Sequence, residues 1–66
     1  MTLQIGQRYQ TRSGGSVLIE KFDSEECLFW GDVYNSDGEK DRIASFTPGG
    51  QYVRGRETEF DIVAEA

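Results

Sequence analysis

Short runs of alternating apolar and polar residues, separated by glycine-containing turns, fill this chain. The turn clusters lie at residues 13–15, 35–38 and 47–50. Gly, Asn and Asp tolerate the positive φ of tight hairpin turns, and Pro presets φ at the first turn corner. The segments between the turns are rich in β-branched and aromatic residues, which favour strands. The pattern predicts strands at residues 7–12, 16–22, 27–34, 42–47, 51–54 and 60–63.

Hairpin connections between so many short strands predict an all-β fold. The second predicted strand carries apolar groups on both faces, with Val17 and Ile19 opposite Leu18, which favours a curled or closed sheet. Gly31 lies inside the third strand and indicates a bend, a bulge or a close approach of backbones. We expect a single domain, residues 1–66, that forms a small, strongly bent antiparallel SH3-like barrel of five to six short strands. The last three residues are expected to fray.

The length of 66 residues limits the chain to one small hydrophobic core. A chain of this size buries only about 60% of the surface that its unfolded form exposes. With one cysteine and no histidine, the chain has no internal disulfide and no zinc site to supplement that core. The sequence also lacks a signal-peptide pattern and an apolar run of roughly 18 residues. We therefore expect a cytoplasmic protein that does not contact a membrane.

Patterns that support catalysis or metal binding are missing from the sequence. Cys27 has no histidine to activate it and begins an apolar strand, so we expect a buried structural cysteine and not a nucleophile. The acidic segment 35–41 does not match a calcium loop. With Gly38 as its central glycine, the first and last ligand positions would be Val33 and Ala44. The predictions are no enzyme activity, no metal and no cofactor.

The chain has eight aromatic side chains, more than a core this small can enclose. The third predicted strand places Phe29 and Val33 on one face and Trp30, Asp32 and Tyr34 on the other, and the alternation does not decide which face is buried. If Phe29 faces the core, Trp30 and Tyr34 form an exposed aromatic pair with Asp32 between them. Trp and Tyr contribute disproportionately to protein interfaces. The predicted protein-binding residues are Trp30, Asp32, Tyr34 and, in second place, Tyr52.

Twelve acidic and seven basic side chains give a formal net charge of −5. This charge opposes binding to DNA, RNA or an anionic membrane, so nucleic acid is not the expected partner. One alternative is an acidic surface that imitates DNA, which requires the acidic clusters 23–26, 37–41 and 57–61 to line one face. The other is direct contact with nucleic-acid phosphates through Arg8, Arg12, Arg54 and Arg56. Arginines next to surplus carboxylates more often form ion pairs.

Three segments resemble small phage-encoded and bacterial mobile-element proteins. Residues 6–15 are similar to a "Y-x-T-R-D-G" opening, residues 44–52 to an "S-W-T-x-D-G-x-Y" segment, and residues 61–63 to a closing "D-L-V". The chain departs from that pattern at Ser13, at Phe46 and at Pro48-Gly49. The resemblance implies a phage or mobile-element accessory protein, and it transfers no functional residue.

These observations together favour a non-enzymatic module that binds a protein partner, as an accessory or inhibitor protein. Apolar anchors would supply affinity, and the acidic surroundings would select the partner. A homodimer is the other arrangement considered, since a second copy can cover an exposed aromatic face.

Overall fold

The computed structural model describes residues 2–66; Met1, the first residue of the predicted domain, lies outside them. Five strands form one antiparallel sheet in the order β4-β3-β2-β1-β5. Their bounds are β1 Arg8–Thr11, β2 Ser16–Asp23, β3 Leu28–Tyr34, β4 Lys40–Phe46 and β5 Ile62–Glu65. The all-β prediction is confirmed. Residues 2–66 contain no helix, and hence no helix long and apolar enough to cross a membrane.

The sheet does not close into a barrel. Its two end strands, β4 and β5, share no ladder of hydrogen bonds. Near this gap the Ile62 N–H donates to the Gly50 carbonyl oxygen at 2.9 Å, which joins the start of β5 to the turn after β4. This one bond links the two sides of the gap, but the closed ladder of a barrel is not confirmed.

Two predictions about the end of the chain are wrong. Residues 51–54 form a loop with one isolated bridge, Val53 to Arg56, and not the predicted strand. The Tyr52 amide bonds to the Asp61 carboxylate and so is not available to a ladder. Residues 64–66 do not fray, because Ala64 pairs with Gln10 in β1 and the Ala66 N–H donates to the Arg8 carbonyl oxygen at 3.2 Å.

The three predicted turn clusters are confirmed as turns. Each includes a glycine with positive φ, namely Gly14, Gly38 and Gly50. In the second cluster, the Asn35 Oδ1 atom accepts the amides of Asp37 and Glu39, both at 3.0 Å. These side-chain bonds make the turn compact. As a result β4 begins at Lys40, two residues earlier than predicted.

The core lies on one face of the sheet. Its buried apolar residues are Leu3, Tyr9, Val17, Ile19, Val33, Ala44, Phe46 and Ile62. The Tyr9 hydroxyl accepts the Gln4 amide at 2.8 Å, and this bond holds the N-terminal segment across the core. Phe29 packs against the core from the same face as Val33. Trp30, Asp32 and Tyr34 therefore lie on the opposite face, which we call the outer face.

Gly31 marks a close approach of β3 to β2, as the sequence predicted. A Cβ atom at this position would lie 2.5 Å from the Leu18 carbonyl oxygen and 3.0 Å from a Val17 methyl group. Opposite Gly31, the register of β2 shifts between Ile19 and Lys21. A bulge of this kind bends a strand and increases its twist. The bend curls the sheet over the core.

Candidate protein-binding surface

The outer face presents the three β3 residues that the sequence predicted as binding residues. Across the strands, Trp30 pairs with Ser45 of β4, and Asp32 pairs with Leu18 of β2 and Ile43 of β4. Because side chains opposite each other on one face of a sheet are neighbours, this register gathers apolar side chains around Asp32.

Asp32 is largely buried beneath this face, and its negative charge is paired with a lysine. The residue is only 8% exposed, and its Oδ1 atom lies 3.1 Å from the Lys40 ammonium nitrogen. A hydrogen bond and the charge of Asp32 raise the pKa of Lys40. A hydrogen bond with Asp32 and the negative charge of Asp32 also raise the pKa of the nearby Glu20 carboxyl group. We infer that Asp32 holds Lys40 against the outer face.

Trp30 and Tyr34 are half-buried, and each carries a cation on its ring. The Lys21 ammonium nitrogen lies 6.0 Å from the Trp30 ring centroid. The Arg8 guanidinium carbon lies 5.0 Å from the Tyr34 ring centroid. Cations over aromatic faces are attracted by the ring quadrupole. The aromatic pair is therefore part of a mixed surface of rings and positive charges.

Tyr52 reaches this region from the loop after β4. Its ring packs between Phe46 and Phe60, with centroid distances of 6.0 Å and 5.3 Å. Its hydroxyl oxygen accepts a hydrogen bond from Arg42 Nη1 at 3.4 Å, and this bond raises the pKa of Arg42. Arg42 also stacks over Phe60. Tyr52 thus packs against the core on one side and contributes to the surface on the other.

Asp61 holds the loop that presents Tyr52. Its carboxylate accepts the amides of Tyr52 and Thr58, both at 3.0 Å, and the Thr58 hydroxyl at 2.8 Å. Burial by itself raises the pKa of Asp61, but these three bonds and the Arg12 charge outweigh it and leave the pKa below its ordinary value. The ionised Asp61 carboxylate is therefore the form that the loop stabilises.

Trp30 and Tyr52 meet at a groove along β4, which we call the edge groove. It has a volume of about 370 Å³ and is lined by Trp30, Ile43, Ala44, Ser45, Tyr52 and Val53. A second groove of about 400 Å³, the face groove, lies on the outer face between Glu20, Lys21 and Ile43. Trp30 and Ile43 line both grooves. These two side chains are the centre of the candidate site.

Ile43 is the site residue that sequence reasoning missed. It is 62% exposed, although it is a large apolar side chain inside a strand. Its alternation with Ala44 and Phe46 contained the signal: both of those residues are buried, so Ile43 must point outward. The sequence did not reveal that its neighbour across the strands would be Asp32 and that Trp30 would lie beside it.

The four predicted site residues do not form one cluster. Trp30 and Tyr52 share the edge groove, whereas Tyr34 lies nearer the Asn35 turn and lines another cavity. Asp32 lies beneath the outer face, with its charge matched by Lys40.

Cys27 is exposed, so the prediction of a buried structural cysteine is wrong. It ends the turn between β2 and β3 with a positive φ of 56°. The Asp23 Oδ1 atom accepts the amides of Glu25 and Glu26 in that turn. These bonds form the turn before the apolar run of β3 begins, and Cys27 stays outside the sheet. Within residues 2–66, no group of three or more His, Cys, Asp or Glu residues is placed to bind a metal.

The acidic clusters lie at the two ends of β3. Cluster 23–26 lies at the β2–β3 turn, and cluster 37–41 lies at the other end of β3, roughly 20 Å away for a strand of this length. Asp41 and Glu59 line one cavity, which places cluster 57–61 near the second cluster. Arg12 forms ion pairs with Asp61 at 3.7 Å and with Glu57 at 3.8 Å.

Comparisons with known proteins do not assign this chain to a family. No protein-family model matches this chain, and no curated protein or solved structure is significantly similar to it. The outer face and the edge of β4 are therefore the features from which a function can be inferred.

Proposed function

We propose that this chain is a non-enzymatic, cytoplasmic module that binds a protein partner through the surface around Trp30, Ile43 and Tyr52. The observation that carries the proposal is Ile43, a large apolar side chain that is 62% exposed and lies beside Trp30 between two grooves. Contact with a partner would remove this apolar surface from water. Full burial of such a side chain is worth roughly 1.5–3 kcal/mol.

The surroundings of Ile43 suit an interface centre. Trp30 and Tyr52 are residue types enriched at hot spots, and the rim of charged groups, among them Lys21 and Lys40, is typical of a polar periphery. Tyr34 belongs to the periphery of this surface. The Asp32 carboxylate contributes indirectly, because it positions Lys40.

The strand order and the hydrogen bond between Gly50 and Ile62 support an SH3-like architecture. The resemblance to phage and mobile-element proteins supports a role as an accessory or inhibitor protein. The competing function, imitation of DNA, would depend on the acidic clusters, and their position at opposite ends of β3 argues against a continuous acidic face.

The test is affinity purification from a lysate of the source organism with matched variants. Ile43→Asp places a charge at the proposed centre. Ile5→Asp places the same charge at an equally exposed isoleucine, 61% against 62%, outside both grooves. A specific partner should be retained by the wild type and by Ile5→Asp and lost with Ile43→Asp. Light scattering of the three proteins detects a homodimer in the same series.

A partner that binds Ile43→Asp normally would refute this assignment. If reversal of charge at Asp37, Glu39 and Asp41 removed that partner instead, the acidic surface would be the binding site. Thermal unfolding of each variant checks that the loss of binding does not follow from loss of the fold.

A further inference from the structure

We infer that the occupant of the edge groove is an extended, acidic segment of the partner, which adds to the sheet as a strand alongside β4. This inference rests on the proposed function and names the form and charge of what is bound. Three observations support the inference: the unpaired edge of β4, the residues on both sides of the groove, and the cationic side chains near it.

The backbone of β4 is free on one side. β4 is an end strand of the sheet, and among residues 2–66 no backbone hydrogen bond reaches its outer edge from any other element. An unpaired edge of this kind is a template for an incoming strand. The edge carries charged residues at Lys40, Asp41 and Arg42, whereas residues 43–46 are uncharged. The uncharged half borders the edge groove.

The edge groove offers contacts to both faces of an added strand. Side chains of a strand point alternately to opposite faces. Beside β4, one set would contact Trp30 and Ile43 on the outer face. The other set would contact Tyr52 and Val53, which line the same groove. Backbone bonds would supply affinity, and these walls would select apolar side chains at alternate positions.

Cationic side chains lie next to the groove, although the whole chain carries −5. None of the basic residues lines the groove itself, but four of the seven contact or adjoin a residue that does. Lys21 lies over Trp30, Arg42 bonds to Tyr52, and Val53 is followed by Arg54 and bridged to Arg56. Among the described residues, the only ion pair of these four is between Arg42 and Asp41, at 3.4 Å. The unmatched cations favour a partner segment with acidic residues.

A second copy of this chain fits the groove poorly. If it paired through its own β4, it would bring Lys40, Asp41 and Arg42, two cations and one carboxylate, to an edge that carries the same excess of positive charge. It would also place a second net charge of −5 beside the first. Both effects oppose self-association and leave a foreign acidic strand as the occupant.

The experiment is selection of a random-peptide display library on the wild-type protein, followed by NMR of the isotope-labelled protein with the selected peptides. We expect peptides with acidic residues and alternating apolar residues. Their binding should slow hydrogen exchange of the outward-facing β4 amides and shift the Trp30 indole resonance. Replacement of both Arg54 and Arg56 by Glu should weaken binding at least about tenfold. Gln10→Glu adds a negative charge at an exposed residue of β1 that lines neither groove, and it should change binding little.

The outcomes separate the two proposals. Peptides that lose binding with Ile43→Asp, but leave the β4 amides unprotected or ignore the Arg54 and Arg56 changes, would overturn strand addition and keep the proposed surface. Failure to select peptides, or binding insensitive to Ile43→Asp, would overturn both. Displacement of the peptides by a short single-stranded oligonucleotide would identify a nucleic-acid site in place of a peptide site. High salt should weaken peptide binding by the wild type, which tests the charge argument without a variant.

Discussion

The Asp61 carboxylate accepts hydrogen bonds from both ends of the loop between Tyr52 and Thr58. The residue is 5% exposed, so its oxygens have little access to water. An amide group at this place would turn donor hydrogens towards the donors that now bond to it. The position of Tyr52, and with it one wall of the edge groove, therefore depends on an ionised side chain at position 61.

We expect Asp61→Asn to lower the free energy of unfolding by roughly 2 kcal/mol at pH 7, the scale of hydrogen bonds to a charged group. Urea denaturation measures this value. Glu59→Gln is the matched control, because it removes the same charge from an exposed side chain for which the structure shows no hydrogen bond or ion pair. A cost for Asp61→Asn no larger than the control's would contradict the anchoring role.

The wild type and Asp61→Asn should differ less in their free energy of unfolding at acid pH. Burial raises the pKa of Asp61, the hydrogen bonds and Arg12 lower it more, and the result lies below the ordinary value of 3.8. A carboxylate with a lowered pKa stabilises the folded state fully above its unfolded pKa, and this contribution is lost as the pH falls through the folded pKa. The gap between wild type and Asp61→Asn should therefore shrink in urea titrations below about pH 4.

At the scale of elements, the bend of the sheet depends on how closely β2 and β3 approach. Gly31 permits that approach, since a side chain there would meet the Leu18 carbonyl oxygen. The bulge between Ile19 and Lys21 lies on the facing strand. Next to them, the register of β3 with β4 places Trp30 and Ile43 in the same two grooves.

We expect Gly31→Ala to lower the free energy of unfolding by about 1–3 kcal/mol, the usual cost of overpacking. Gly49→Ala is the control, because the nearest atom to its added Cβ would be the Thr47 hydroxyl oxygen at 3.9 Å. Thermal or urea unfolding of both variants gives the comparison. Equal stability of the two variants would show that β2 and β3 can separate without cost.

The pattern of strands was predictable to a large extent at this scale. The first four strands and all three turn clusters follow from alternation and turn residues, which are local properties. The closing strand was predicted at residues 60–63 and forms two residues later, at Ile62–Glu65, whereas the strand predicted at 51–54 is a loop. Residues 51–54 have the composition of a strand, but the Asp61 carboxylate, distant in the sequence, binds the Tyr52 amide and excludes it from a ladder.

At the scale of the whole molecule, charge and size act together. A net charge of −5 is confined to a chain with a radius of gyration of 10.5 Å. Two copies in contact repel each other, and the repulsion is strongest at low ionic strength. Near the edge groove, Lys21 lies over Trp30 and Arg42 bonds to Tyr52, so cations are concentrated there.

We expect the isolated protein to be a monomer in light scattering at low salt. The emission of Trp30, the single tryptophan, should not change on dilution. The measurement needs a reducing agent, because the exposed Cys27 could form a disulfide between two chains. A dimer that Ile43→Asp dissociates would identify a second copy as the occupant of the groove and would contradict the charge argument.

The sequence by itself determined the strand pattern, the turns and the division of β3 into two faces. These features depend on the φ preference of glycine, the alternation of side chains and the propensity of β-branched and aromatic residues. The tertiary structure alone decided which face of β3 is buried, because Phe29 and Val33 pack on a core contributed by every strand.

Only the tertiary structure also brought Ile43 and Tyr52 to the same groove as Trp30 and placed Asp32 under Lys40. These neighbours are set by strand register and by the loop held at Asp61, which are contacts between residues far apart in the chain. Alternation along one strand contains no information on such contacts. The candidate site could therefore be predicted in its residue types but not in its centre, Ile43.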